Sequence, residues 1–388
     1  MKVLLFTNLY PSITEPTRGV FNRSWFTALA RHCEVRVISP QAWWTRLRQP
    51  VTLFKAPCDD MTGLKATFPT YWSIPGIPML HASGMRISMR SLFRRIQKEY
   101  PFDAIVAAWA YPDAVAAARL ARELKCPLIV KVLGSDINEI ALHPTLRWRI
   151  LCTLNYSSRI IAVSDALGDK LAEMGVPQDK IIRQHNAVDG EKFRPQNPMA
   201  LRIRLNLPLD KRIVCYAGNF KEEKGTDILI KAWGRFQEWD AGKTVLILIG
   251  GGSLETSLRV GIKELGIENT VQFHGRRPHE EIPDWIGACN VFCLPSLREG
   301  CPNVVLEALA CGRPVVASKV GGIPELLNER NGIMTPPGDA EALAQGIEEC
   351  LNREWNPREL RESAGCLSWD IIGKRVYGIL KEVVEENA

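Results

Sequence analysis

Short apolar runs alternate with amphipathic stretches along the whole chain. In the first half the runs are VLLF (3–6), Glu34 to Ser39, Ala104 to Ala108, LIV (128–130) and Ile160 to Val163. In the second half they are Arg212 to Ala217, the LILIG run ending at Gly250, VQF (271–273), Val291 to Leu294 and Pro314 to Ala317. Short, mostly apolar runs of this kind predict strands. Between them the periodicity predicts helices: Val20 to Leu29, a basic helix carrying Arg86, Arg90 and Arg94, a helix after Pro112, Met199 to Leu205, a helix after Lys224, and a last one opening at Trp369-Asp370. Strand and helix in alternation predict an α/β chain.

The densest chemistry lies between Asn290 and Leu327, which reads strand, loop, helix, strand, loop, helix. The loop Ser296 to Cys301 leads to Pro302, a residue tolerated at a first helical position, and Gly312 ends the helix. The amides of Asn303, Val304 and Val305 then open the helix and favour an anion such as a phosphate. Glu299 in the loop and Glu307 inside the helix stand beside that anion site. Two readings fit them. Either Glu299 caps the helix and Glu307 is solvated, or both accept hydrogen bonds from the hydroxyls of a ligand that carries phosphate and sugar.

Other stretches carry comparable signals. Gly19, just before the first helix, allows a ligand close to the backbone. Gly218 ends a strand and is followed by Asn219 and by Glu223-Lys224-Gly225, a second turn of phosphate-cradle form. Gly250, Gly251 and Gly252 permit backbone approach, but Glu255 stands where a spaced third glycine would be. With no G-x-G-x-x-G after the first strand either, a dinucleotide dehydrogenase is disfavoured. His274 and His279 have no acidic partner at metal-ligand spacing. Residues 41–85 read as irregular and aromatic, with Trp43, Trp44, Phe54 and Trp72 interleaved with Arg46 and Arg48. Arg86, Arg90 and Arg94 follow at i, i+4, i+8, one stripe of a helix face, with Ile87, Leu92, Phe93 and Ile96 placed to pack inward. Aromatics beside a basic face suit a membrane–water boundary or an acidic glycan; a plain solvated face fits as well. No nucleic-acid-reading module accompanies them.

Composition and charge refine this picture. With 388 residues, two domains of about 190 residues each are expected. Residues 1–189 carry 24 Lys+Arg against 15 Asp+Glu, or +9, and residues 190–388 carry 25 against 28, or −3, which together give the net +6. The basic half is the one expected to meet an anionic partner. The start of the chain, Met1-Lys2 and then VLLFT, reads as a first strand rather than a secretory signal. No run approaches the roughly 18 apolar residues of a spanning helix. The 11 cysteines show no C-x-x-C spacing and several lie in apolar runs, which predicts reduced core thiols and a cytoplasmic chain.

The segment from Glu299 to Ala317 resembles the donor-site signature of retaining glycosyltransferases of family 4, EG-x-P-N-x-x-x-EA-x-A-x-G-x-P-V-V-A. Glu299, Gly300, Pro302, Asn303, Glu307, Ala308, Ala310, Gly312 and Pro314 to Ala317 carry the match. The resemblance implies a GT-B fold, two Rossmann-like α/β/α domains facing across a cleft. It divides the chain into an acceptor-side domain over 1–193, a donor domain over 194–368 and a helix over 369–388 that crosses back. It implies that Glu307 takes ribose hydroxyls and Glu299 the sugar. Lys224 and the Asn303–Val305 amides would take the diphosphate, the Gly275-Arg276 turn the base, and Gly19, Gly218, Asn219, Gly251 and Gly300 would border the donor. Where the family has an arginine before the E-K-G motif, this chain has Asn219, leaving Lys224 as the main cation, helped by Lys221. Where a subgroup has histidines, this chain has Ala108 and Leu133, and Asp113 or Asp136 is left to take over polar contacts or, as the bland alternative, to cap a helix. Catalysis is assigned to Glu299, Lys224 and Asp113. The acceptor or membrane side is assigned to Trp43, Trp44, Arg86, Arg90, Arg94 and Asp136.

The expected activity is that of a metal-independent hexosyltransferase with no cofactor. It would move a sugar, with retention, from a UDP- or GDP-type nucleotide sugar to a glycan or lipid-linked acceptor in cell-surface polysaccharide synthesis. Its expected place is the cytoplasm, peripheral to the inner face of an anionic membrane, and nucleic acid is not an expected partner. Two rivals stand beside it: a sugar-nucleotide epimerase of the same fold, which would turn over the nucleotide sugar without an acceptor, and a non-catalytic sugar-nucleotide or glycan-binding protein.

Overall fold

The computed structural model describes residues 1–12, 15–47, 58–59, 63–364 and 368–387. Arg48 and Phe54 of the aromatic segment lie outside the described residues. The chain forms two units, Met1–Asn186 with Trp369–Ala388, and Ala187–Ser368.

In the first unit the described strands form an eight-stranded sheet. Its order is Ile181–Arg183, Arg159–Ala162, Leu128–Val132, Ala104–Ala108, Lys2–Phe6, Glu34–Ile38, Ala66–Thr67 and Cys58–Asp59. All pairs are parallel except the last, which is antiparallel. Ala104–Ala108 and Leu128–Val132 are buried at every position, because helices cover both faces of a parallel sheet. The helix Trp369–Glu386 belongs to this unit and packs on Val20–Ala30. Gly373 permits the approach: a Cβ there would sit 2.4 Å from the Ala28 carbonyl oxygen.

The basic helix runs His81–Glu99 and buries Ala82, Met85, Met89, Phe93 and Ile96. That stripe corrects one inward-facing position: Ile87 is 67% exposed, since it stands about 200° around the helix from both Met85 and Met89. Of the residues read as irregular, Trp43–Leu47 forms a short helix and Gln41–Ala42 pairs with Thr70–Tyr71.

The second unit is a six-stranded, wholly parallel sheet. Its order is Val271–Gly275, Thr244–Gly251, Arg212–Asn219, Val291–Leu294, Val315–Ser318 and Gly332–Thr335. In chain order this is 3-2-1-4-5-6, the doubly wound arrangement. The direction of winding reverses between Arg212–Asn219 and Val291–Leu294, which pair through Val214↔Val291 and Cys215↔Phe292. Ligands of such sheets bind outside the carboxyl ends of the strands at this reversal. The division between units falls at Asn186/Ala187 rather than at 193/194. The reason is apolar: Val188 and Phe193 are buried in the core of the second unit, so the turn between them travels with it.

Candidate active site

The loops at the carboxyl ends of three adjacent strands of the second unit are locked together by backbone contacts. After Arg212–Asn219 the chain makes a single turn, Glu222–Lys224, closed by Gly225 at φ 60°. A Cβ on Gly225 would lie 2.0 Å from the Pro295 carbonyl oxygen, so only glycine lets this turn meet the loop after Val291–Leu294. The same loop donates Leu297 N to Glu223 O at 2.9 Å. From the other side, Gly322 N donates to Gly300 O at 2.8 Å, and a Cβ on Gly321 would stand 2.2 Å from Glu299 O. Glu299 is thus held between the loops of its two neighbouring strands.

This clamp brings two of the sequence-predicted residues into contact. Lys224 Nζ donates to Glu299 Oε1 at 2.7 Å, and Ser296 Oγ donates to the same oxygen at 2.6 Å. The Glu299 side chain keeps 8% of its surface and Lys224 keeps 27%. A carboxylate this far from water is tolerated because a cation and a hydroxyl satisfy it.

Glu307 lies on the helix Asn303–Ala310 and is 4% exposed. It meets a residue that sequence reasoning set aside: His279 Nε2 lies 3.0 Å from Glu307 Oε1, within hydrogen-bond reach. Phe193 stands beside that imidazole, with ring centroids 5.5 Å apart. Twenty-eight positions separate His279 from Glu307, so no local spacing could have signalled the pair.

The helix start needs one correction. Pro302 is the residue before the helix, and its carbonyl accepts from Val305 N at 3.1 Å. The Val305 amide is therefore spent. Asn303 and Val304 keep the outward-facing amides of the first turn, and Asn303 Oδ1 is buried with no partner among the described residues.

At the edge of the same region Gly218 and Asn219 are exposed. Arg276, after the strand Val271–Gly275, donates through Nη1 to Asn219 Oδ1 at 3.3 Å and through Nη2 to Gly251 O at 3.0 Å. A guanidinium thus reaches the position where the resemblance led one to expect an arginine at 219. Gly250 and Gly252 are required by packing, since a Cβ would fall 1.8 Å from Gly218 O or 2.3 Å from Phe220 O. A Cβ on Gly251 would make ordinary contacts, and one on Gly275, at φ 68°, would meet no atom beyond its chain neighbours within 4 Å.

The sequence-predicted residues of the first unit behave differently. Gly19, at φ 65°, is demanded by its own loop: a Cβ would lie 2.1 Å from Leu9 O. Asp113 has no exposed surface. Its Oδ2 accepts from Asn8 N at 2.7 Å and Thr7 Oγ1 at 3.1 Å, and its Oδ1 has no partner among the described residues. Burial pushes the Asp113 carboxyl up to about 7, against the opposing hydrogen bonds. Asp113 therefore positions the loop after the first strand and presents no atom to a substrate, which corrects its assignment to catalysis. Asp136 is equally buried and accepts from Ala110 N at 2.9 Å, Gly134 N at 2.8 Å and Leu133 N at 3.1 Å. It braces two loops rather than facing an acceptor. Burial raises its carboxyl too, opposed by those amides.

On the side read as facing acceptor or membrane, Trp43 donates through Nε1 to Ser73 O at 2.7 Å and stacks on Trp72 at 5.2 Å, while Trp44 packs on Trp43 and His81. Both are half-buried. Arg86, Arg90 and Arg94 gather on one carboxylate, Glu123, at 3.5, 2.7 and 3.6 Å. Among the described residues, no helix is long and apolar enough to cross a membrane.

Known proteins resemble this chain in sequence and in fold. Residues 20–192 match Glycosyltransferase Family 4 and residues 200–365 match Glycosyl transferases group 1. A Bacillus subtilis (strain 168) glycosyltransferase, TuaC, named for teichuronic acid biosynthesis, is 27% identical over 92% of this chain and 91% of its own. The amylovoran biosynthesis glycosyltransferase AmsK of Erwinia amylovora is 30% identical over 68% of this chain and 65% of its own. Among solved structures, Anabaena HepE in complex with UDP superimposes with a TM-score of 0.77 at 20% identity, covering 98% of this chain and 100% of that one. Its complex with UDP-glucose gives 0.73 at 21% identity, over 100% and 99%. The fold is GT-B.

Proposed function

The chain belongs to glycosyltransferase family 4, and from that premise we propose that it transfers a sugar from a nucleotide-diphosphate donor bound on the second unit. The observation that carries this reading is the Lys224–Glu299 contact, 2.7 Å long, at the reversal point of a doubly wound sheet. Glu307, oriented by His279, accepts from the ribose hydroxyls. Glu299 accepts from hydroxyls of the sugar. Lys224 turns between Glu299 and the diphosphate, where the Asn303 and Val304 amides add two donors. Arg276, fixed by Asn219 and Gly251, borders the nucleotide. HepE complexes with UDP and UDP-glucose support a uridine donor over a guanosine one.

In the transfer, the bond from the anomeric carbon to the diphosphate oxygen breaks and its electron pair leaves on that oxygen. The acceptor oxygen forms the new bond on the same face, and its proton passes to the departing diphosphate oxygen, so the configuration is retained. Among the described residues, the two carboxylates of this site, Glu299 and Glu307, are engaged by Lys224 and His279, which favours this course over double displacement. Lys224 and the two amides stabilise the charge that grows on the leaving group, so the reaction needs no metal and proceeds in EDTA. The acceptor is a glycan or lipid-linked sugar in cell-surface polysaccharide synthesis, as the names of TuaC and AmsK suggest, and the chain works at the cytoplasmic face of the membrane.

The test is transfer by Glu307→Ala with a screened nucleotide sugar and acceptor. Turnover falls at least about a hundredfold; transfer at the wild-type rate removes the donor site from this place.

A further inference from the structure

On the first unit, three helices enclose a pocket of about 240 Å³ that no part of the transfer reaction uses. They are His81–Glu99, Val115–Leu124 and Pro144–Tyr156. The charged residues lining it are Arg86, Arg119, Arg122 and Arg149, and no acidic side chain lines it. Arg86 is the one of the four with a carboxylate partner among the described residues, Glu123 at 3.5 Å. Arg122 lies over the Tyr156 ring at 4.2 Å, which orients its fork. Arg149 donates to the Met79 carbonyl and is thereby fixed. Arg119 has no hydrogen-bond or ion-pair partner among the described residues.

Four guanidinium groups around one small cavity repel one another in the absence of an anion. Their planar forks match phosphate oxygens two at a time. The rim indicates where that phosphate comes from. Trp148, which lines the pocket, is 66% exposed. Met79, tied to Arg149, and its neighbours Ile77 and Leu80 are exposed as well. A large aromatic and a group of aliphatic side chains beside a cationic pocket are the features of a surface that lies in the headgroup layer, with apolar groups dipped toward the acyl chains.

We propose that this pocket binds the phosphate of an anionic membrane lipid, so that the first unit docks on the bilayer through Arg119 and Arg122 with Trp148 and Met79 inserted beside them. The proposal deepens the membrane-side part of the function above and moves its centre. The stripe Arg90 and Arg94 shares Glu123 and is the weaker contact; the pocket one helix over is the stronger.

The experiment is co-sedimentation of the full chain with phosphatidylcholine vesicles that contain about one third phosphatidylglycerol, at about 0.1 M salt. Donor turnover is read on the same preparations, so a failed donor assignment is seen separately. Wild-type protein binds these vesicles and leaves pure phosphatidylcholine vesicles in solution. The double variant Arg119→Glu, Arg122→Glu lowers binding at least about tenfold with an unchanged melting temperature and unchanged donor turnover, and Trp148→Ala lowers it about threefold. Three results would overturn the proposal. If the wild type ignores anionic vesicles, the membrane side of the function falls with the pocket. If Arg90→Glu, Arg94→Glu abolishes binding while the pocket variant binds normally, the membrane surface stands and the pocket does not. If inorganic phosphate at about 10 mM stabilises the wild type and strips it from vesicles, the pocket holds a free phosphate rather than a lipid.

Discussion

The two units share one plan, a sheet parallel throughout or at all but one edge pair with helices packed on it, and use charge at the strand ends in opposite ways. In the second unit the loops lock to one another through backbone, by Gly225 against Pro295 and Gly322 against Gly300. Their side chains are left for chemistry: Lys224 meets Glu299, Arg276 meets Asn219 and His279 meets Glu307. In the first unit the side chains do the locking. Asp113 and Asp136 hold five donors between them, four of them backbone amides, and have no surface. A carboxylate in a loop at a strand end is thus evidence of a ligand site only where the backbone has other means of closing the loop.

That contrast can be broken by substitutions that separate chemistry from folding. The largest effect is expected from Lys224→Ala, which removes the cation at the leaving group. Turnover should fall about a thousandfold, far more than the accompanying drop in melting temperature can explain: Glu299 loses its cation but still accepts from Ser296. A steady-state assay beside a thermal melt checks both halves. Asp136→Ala should do the reverse. Three amides lose their acceptor, which costs about 3 kcal/mol or more of stability by denaturant unfolding, and nucleotide binding measured well below the unfolding midpoint stays as in the wild type.

His279→Ala should be milder. It frees the Glu307 carboxylate to rotate and should cost about tenfold, more in KM than in kcat, a split that would not appear if His279 merely filled space. The smallest effect has a sign that depends on pH. The folded-state carboxyl of Asp113 is raised from 3.8 to about 7, so the native chain binds more protons than the unfolded chain between those values. Stability contributed by the protonated form is therefore lost as pH rises through that window. Asp113→Asn has no such loss and keeps an acceptor for Asn8 and Thr7. Its melting temperature should exceed the wild type's at pH 8, and the difference should shrink toward pH 5.

Sequence alone reached the elements and most of the site residues, but not which of them meet. The buried strands were legible because a parallel strand covered on both sides leaves an uninterrupted apolar run, as at Val291–Leu294. Glu299, Glu307 and Lys224 were legible because their motif is local. The long-range pairings were not. His279 and Arg276 reach Glu307 and Asn219 across 28 and 57 positions, distances set by strand order rather than by spacing. The capture of the Val305 amide by Pro302 depends on whether the proline enters the helix or precedes it, a difference of one residue that composition does not resolve. Asp113 and Asp136 were misplaced for a related reason: an acid near a glycine turn looks the same whether it faces solvent or closes a loop.

The central claim is that the donor sits on the second unit, against Glu307 and Lys224. Calorimetric titration of the full chain with UDP and GDP, repeated for Glu307→Ala and Asp113→Asn, tests it most directly. The account predicts that the tighter-binding nucleotide loses at least about tenfold in affinity with Glu307→Ala and binds Asp113→Asn as it binds the wild type. Undiminished binding to Glu307→Ala would contradict it.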